Sequence, residues 1–537
     1  MSINLKSLLL TSACMLMAPS VLAATAGNAG SGANSYLFIE NAVDNEYFIT
    51  SNTRTPRFSG ANIWTRYNNG QEALGYMGWA LAASNRYVDF WITDSPIATP
   101  FVGLRCRQDG GNCPSVGHIP ATYLDSQGLY HTMNGNSINN GNSSYGTFSP
   151  SSFEYFRQLP VGSTNAFELN FCYTTTNYDY ESGVRCKDIT TGGATWRYYT
   201  QTVTKVGHLN LLSTGSMSEI MVASDGSASV TGSGDLCNVG VVGNVNGVIC
   251  KMVSYNYQQT QQVTNQLFIS MIIDTATLGF TPGNRDIQFS GDNANWKLYN
   301  ATNTVYSDIF TTGGQYVYVF LSNTFFRNVL NSGNNITNND ALFTFAFNNT
   351  AYPTSGYYQF TASNQVNITP REYGISIISS DGSSKPKNAG NIGSAQPVEF
   401  EYKVTTSAVR QADSITAQVT GDSTTINGIP YCLFTSTDGT YSVPIPAYLS
   451  YTAQSGSTVT ERNSCAEAPI DMTAANWVQT AWDAAVNDGF FYTTTLKLLF
   501  PMNDSRSRLT VAGDDWMGTV SASGEVKVTA TWVGVDK

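Results

Sequence analysis

Charge is what this chain has least of. Lys, Arg, Asp and Glu make up 12% of its 537 residues, well below the usual share of a globular protein. The balance is acidic, with a formal net charge of −11, which argues against a nucleic-acid partner and against docking on anionic lipid. Histidine is scarcer still: His118, His131 and His208 are the only three, and none sits in a recognisable triad context. A Gly-x-Ser-x-Gly elbow, a P-loop, a His-Glu-x-x-His helix and a Cys-x-x-Cys pair are all missing from the sequence. Paired acids such as Asp179 with Glu181, or Asp514 with Asp515, have the residue types of a glycosidase dyad, but loop acids are ordinarily solvated turn residues. No catalytic residue, cofactor or metal is expected, and the chain reads as a non-enzyme.

Long apolar runs are also missing. The one candidate, Leu8 to Val21, follows Lys6 and precedes Val-Leu-Ala and Ala24. It is too short to span a bilayer comfortably and has the small-residue cleavage pattern of a secretory signal peptide, so residues 1–23 are expected to leave on export. Of nine cysteines, Cys14 leaves with that segment. The eight that remain allow 105 pairings, but an exported chain favours disulfides, and neighbour pairing closes four local loops with nothing left over. The expected bridges are Cys106–Cys113, Cys172–Cys186, Cys237–Cys250 and Cys432–Cys465.

What is abundant is alternation. Val398, Phe400, Tyr402 and Val404 alternate with Glu399, Glu401 and Lys403, and Phe343/Phe345/Phe347 and Phe167/Leu169/Phe171 repeat the pattern. Period two marks strands with one core face and one wet face. Between such runs lie clusters of Gly, Asn, Ser and Thr, as in Met133 to Ser149. Only Thr473 to Val486, alanine-rich and carrying Trp477 and Trp482, reads as a helix. The class is all-β, with stacked sandwiches as the expected architecture.

An internal repeat divides the chain. Tyr155-Phe156-Arg157, the Phe167 strand, Ser182-Gly183 and Ser224-Asp225-Gly226-Ser227 follow in one order. Phe325-Phe326-Arg327, the Phe343 strand, Ser355-Gly356 and Ser380-Asp381-Gly382-Ser383 follow in the same order. Boundaries near 208 and 372 give three modules: 24–208, 209–372 and 373–537.

Two features suit binding. The expected Cys172–Cys186 loop carries Tyr173, Tyr178 and Tyr180, and Trp196, Tyr198 and Tyr199 follow it. Such rings offer a rigid apolar face and a polar tip, though alternation into a sandwich core is the plainer reading of them. At the far end Val526, Val528, Ala530 and Trp532 alternate with Lys527, Thr529 and Thr531, and the sequence stops at Lys537. A last strand with no neighbour after it is what a pilus subunit presents to a strand donated by another subunit. A complete sandwich would also end this way. Ala24 to Asn34, small and polar throughout, reads as a flexible tail with no apolar residues to donate.

Several longer stretches add a resemblance: 103–106 (Gly-Leu-Arg-Cys), 182–188 (Ser-Gly-Val-Arg-Cys-Lys-Asp), 368–379 (Ile-Thr-Pro-Arg-Glu-Tyr-Gly-Ile-Ser-Ile-Ile-Ser), 402–407 and 521–532. They resemble the EcpD-type tip adhesins of the common pilus, or Mat fimbria, built by an alternate chaperone–usher pathway. The resemblance runs from about residue 36 to residue 533. It implies tandem immunoglobulin-like β-sandwich modules with a C-terminal pilin-like module. It also implies a place at the fimbrial tip on the cell surface, host-cell recognition and early biofilm formation. The partners it implies are a periplasmic chaperone, an outer-membrane usher, the major pilin and a host-surface receptor, and some members self-polymerise. A structural fibre or surface-layer subunit without its own receptor is the alternative.

Overall fold

The computed structural model describes residues 24–51, 58–63, 65–66, 72–73, 75–79, 84–105, 117–134, 145–190, 193–213, 215–231, 236–260, 269–300, 306, 308–334, 336, 342–348, 357–383, 385–483 and 486–534. The expected signal peptide 1–23, and Cys106 with Cys113, lie outside them. Strands dominate, nearly all antiparallel, and the chain separates into two compact units: residues 1–36 with 55–205, and residues 37–54 with 206–537.

In the first unit, Tyr123–Leu124, Gly128–Met133, Tyr87–Ile92, Thr164–Thr174 and the Thr195–Leu212 strand pair in that order. A second set, Phe58–Ala61, Tyr76–Gly78, Tyr145–Phe148, Phe101–Arg105 and His118–Pro120, pairs likewise. Alternation sends Phe90, Phe167, Leu169, Phe171 and Tyr199 into the core with Phe101 and Phe148. The helix Pro150–Gln158 starts where Ser149 accepts from the Ser152 N–H and Pro150 presets the first turn. It buries Phe153 and Phe156.

The second unit holds a hairpin of Cys237–Val242 with Val245–Gln259, extended by Tyr316–Ser322 and Ile287–Ser290. The helix Asn323–Ser332 is capped by Ser322 at its start and by Gly333, with φ of 70°, at its end. Ser216–Val222 pairs antiparallel with Ala228–Thr231 and parallel with Asn364–Pro370. The C-terminal part is a sandwich built from three sheets. Gly374–Ser379, Val398–Ala408, Val486–Phe500, Tyr448–Thr452 and Thr458–Arg462 form one sheet, Ile470–Asp471, Ser414–Gly421 and Gly524–Thr531 a second, and Ser423–Ile426, Ile429–Ser436, Ser442–Ile445 and Val520–Ser521 a third. Val404, Ile415, Ala417, Leu449 and Leu496 fill the space between. Three of the expected disulfides are formed: Cys172–Cys186, Cys237–Cys250 and Cys432–Cys465.

Two expectations need correcting. Residues 473–486 hold no described helix; Val478–Asp483 is a strand paired with Val486–Phe500. The alanines favour a helix only weakly, and the tertiary partner decides: Trp482 packs over Gly489 and its indole N–H donates to Ser407 Oγ at 2.9 Å. The expected tail is also strand, Gly27–Asn41, with its first residues largely exposed. Main-chain pairing needs no apolar side chain, so composition alone is a poor guide there.

Candidate receptor-binding face and pilus-joint edge

Strand alternation in the first unit puts Asp89, Trp91, Asn170, Cys172, Trp196 and Tyr198 on the sheet face opposite the core. Register confirms the grouping, since Asn170 stands opposite Trp91 and Tyr198, and Cys172 opposite Asp89 and Trp196. The loop after residue 174 folds over this face and is held by Cys172–Cys186. Asp89 anchors it from below. Its Oδ1 accepts from the Tyr178 hydroxyl and from the His131 N–H at 2.9 Å, and its Oδ2 from the Cys186 N–H at 2.7 Å. Burial pushes the Asp89 carboxyl up, while these three donors and the Arg185 charge pull it back. Burial and the Asp89 charge keep the Tyr178 phenol protonated.

Above the anchor, rings pile up. His131, with φ of 54°, stacks on Tyr87 at 4.5 Å and on Tyr180 at 4.4 Å, and meets Tyr178 edge-on. Its Nε2 lies 2.6 Å from Asn177 Oδ1. Arg185 covers Tyr130 at 4.4 Å and Tyr123 at 5.1 Å while donating to the Tyr180 and Val184 carbonyls. Trp196 packs on Trp91 and donates its indole N–H to Asn170 Oδ1 at 2.9 Å. Tyr123 is the most open ring of the group, 38% exposed.

The six candidate residues therefore separate. Tyr180, Trp196 and Tyr198 are half-buried on the loop-covered face. Tyr178 is there too but buried, as the Asp89 ligand. Tyr199 corrects the expectation outright: it sits in the core, 4% exposed and stacked on Trp79 at 5.3 Å. Tyr173 shares that side and packs against Phe171. Tyr123, His131 and Arg185 are not among those six; the polar turn Asp125-Ser126-Gln127 before the Leu129 strand is the local hint that Tyr123 lies outside. Asp179 is a turn residue accepting from the Ser182 N–H at 3.2 Å, and among the described residues no acid or histidine cluster could hold a metal.

The C-terminal edge is built differently. Gly524–Thr531 pairs on one side with Ser414–Gly421, from Ser414 opposite Thr531 to Gly421 opposite Gly524. It has no second strand partner among the described residues. Val526, Val528, Ala530 and Trp532 are half-buried against the sandwich core, alternating with exposed residues. Next to it runs Gly374–Ser379, the edge of the opposite sheet, with Ile375 and Ile377 half-buried against the same core. Trp532 closes one end, its ring against Tyr373 and its indole N–H donating to the Arg410 carbonyl at 3.1 Å.

Sequence comparison points to one family. Models of the E. coli common pilus adhesin EcpD match residues 24–209 (N-terminal domain), 213–365 (middle domain) and 372–530 (C-terminal domain). The fimbria adhesin EcpD of Escherichia coli O157:H7, and that of strain K12, are each 36% identical over 520 residues, covering 94% of both chains. Among solved structures, CfaE, the adhesive subunit of CFA/I fimbria of enterotoxigenic E. coli, is 10% identical with a TM-score of 0.18, covering 59% of this chain and 96% of its own. The CupB6 tip adhesin of Pseudomonas aeruginosa is 9% identical with a TM-score of 0.13, covering 56% and 93%.

Proposed function

The chain belongs to the EcpD fimbrial adhesin family, and on that premise we propose that it is a non-enzymatic pilus-tip adhesin joined to its fibre by a donated β-strand. Three modules, 24–208, 209–372 and 373–537, follow a signal peptide at 1–23. The first recognises a host surface and supports early biofilm formation, and the last makes the joint. Its partners are a periplasmic chaperone, an outer-membrane usher and the major pilin, with the receptor on the host side.

One observation carries the joint. Two neighbouring edge strands, from two sheets of the C-terminal sandwich, present Val526, Val528 and Ala530 beside Ile375 and Ile377, all half-buried. An incoming strand would pair its main chain with the free edge and bury alternate apolar side chains against these residues. On the first module, Tyr123, Tyr180 and Trp196 form the recognition face, pre-ordered by the disulfide and Asp89 so that little ordering cost falls on binding.

A crossed experiment in piliated cells tests both halves. Val526→Asp with Val528→Asp should strip the protein from pili. A Tyr123→Ala, Tyr180→Ala, Trp196→Ala triple variant should join pili normally and lose most attachment. Normal incorporation of the first variant would remove the basis for the joint, and normal attachment by the second would show the ring face to be scaffold.

A further inference from the structure

The outer face of the C-terminal sandwich, away from its own core, is not wet along its whole length. Val404 and Ile377 face inward, so their strand neighbours Lys403, Thr405 and Ser376 face out, yet Ser376 and Thr405 are buried. The covering element is the small sheet Ala228–Thr231, Ser216–Val222, Asn364–Pro370, which lies against Gly374–Ser379. The Met217 N–H donates to the Gly382 carbonyl at 2.8 Å, and the Arg371 guanidinium covers Trp482 at 4.5 Å.

At the middle of this seam sits Glu219, completely buried. Its direct neighbours in the sheet are Thr231, whose hydroxyl donates to Oε2, and Asn367. Oε1 has no hydrogen bond, and neither have Asn367 Oδ1, Ser376 Oγ and Thr405 Oγ1. An ionised carboxylate only accepts, so it offers nothing to an acceptor beside it; the protonated acid is a donor. The charged groups on the surrounding elements are few. Ala228–Thr231, Ser216–Ser218 and Asn364–Thr369 carry none. Lys403 acts on Glu219 from the opposite sheet. Arg371 pairs with Glu372 at 3.6 Å, Asp381 is turned into its own loop by Ser379 and Ser383, and Glu401 pairs with Lys497 at 3.4 Å.

We propose that this seam is a proton-operated fastening, in which protonation of Glu219 tightens the small sheet onto the C-terminal sandwich and ionisation loosens it. Burial pushes the Glu219 carboxyl up to about 6, against the pull of the Thr231 hydroxyl and Lys403. The acid is therefore held in its neutral form more strongly in the closed seam than in the open one. Stability from this group is full below the ordinary carboxylate range and is lost as pH rises through about 6. A fastening of this kind would hold the second and third modules together more firmly in a mildly acidic setting than at neutrality.

The test is hydrogen exchange on the full mature chain, reading main-chain amides of residues 216–222 and 364–370. Protection in the wild type should be roughly tenfold greater at pH 5 than at pH 7.5, as a shift of this size requires. Glu219→Gln, a neutral isostere, should be well protected at both pH values. Lys403→Met should move the transition to higher pH without abolishing it, a readout that stands even where Glu219→Gln folds poorly. A pH response that persists unchanged in Glu219→Gln, a wild type with no response, or an unmoved transition in Lys403→Met would each overturn the proposal.

Discussion

Two buried charges show how single residues hold the first unit together. Lys205 is fully buried, and its ammonium donates to the Phe156, Arg157 and Leu159 carbonyls at 3.2, 2.8 and 2.8 Å. It thus satisfies acceptors that the end of the Pro150–Gln158 helix would otherwise leave open, at the end of the dipole that favours a cation. Asp89 does the converse, gathering one donor from the Gly128–Met133 strand and two from the disulfide-held loop. Replacing it by alanine strands the Tyr178 hydroxyl and two main-chain N–H groups in a dry site. Asp89→Ala should therefore cost about 2–4 kcal/mol, measured by urea unfolding of the first unit. It should also loosen the ring face even with the disulfide intact. A loss no larger than that of an ordinary surface substitution would show that the disulfide alone orders the loop.

At the scale of elements, the sequence is most legible where one strand face meets one core. Val398 and Val404 are buried and Phe400 and Tyr402 pack beside them, as the alternation indicates. The other face of the same strand is legible only in part: Glu399 and Glu401 are solvated, but Thr405 and Ser407 are buried, Ser407 under the Trp482 indole from a strand some 75 residues later. No local period reports that. The same limit hides the ring face, since His131 and Tyr123 reach Tyr180 only through the pairing of Gly128–Met133 with Tyr87–Ile92. The two longer helices carry a signal in the sequence. Tyr155-Phe156-Arg157 and Phe325-Phe326-Arg327 both lie on helices that follow a strand and a capping serine, so the repeat marks the same strand–helix–strand step twice. The caps differ in one respect. Both accept from a helix N–H, but the Ser149 hydroxyl donates to the Thr99 carbonyl at close range, whereas the Ser322 hydroxyl reaches Asp286 Oδ1 only at 3.5 Å. Ser322→Ala should cost about 1 kcal/mol and Ser149→Ala more, read as midpoints of chemical denaturation. Equal losses would mean the Ser149–Thr99 bond adds nothing.

For the whole molecule, the seam and the edge strand decide how far the C-terminal sandwich stands alone. Residues 206–537 form one compact unit together with residues 37–54, although the repeat divides them near 372. The C-terminal sandwich has two distinct surfaces: the Gly524–Thr531 edge, with no second strand partner among the described residues, and an outer face covered by the small sheet through Arg371 on Trp482 and Met217 on Gly382. A strand added at that edge, as proposed above, would leave the second surface as it is. Removing residues 206–372 would uncover Gly374–Ser379 with the Ser376 hydroxyl, which tolerates water, and also the indole of Trp482, which loses its guanidinium cover. With a donor segment fused after Lys537 in both, the fragment 373–537 should melt several degrees below the fragment 206–537 by calorimetry. The gap should widen at pH 5, where a neutral Glu219 strengthens the seam in the longer fragment alone. Equal melting temperatures at both pH values would show the modules to be independent beads, with pulling force carried across the division near 372 by the connecting chain and not by the packed seam.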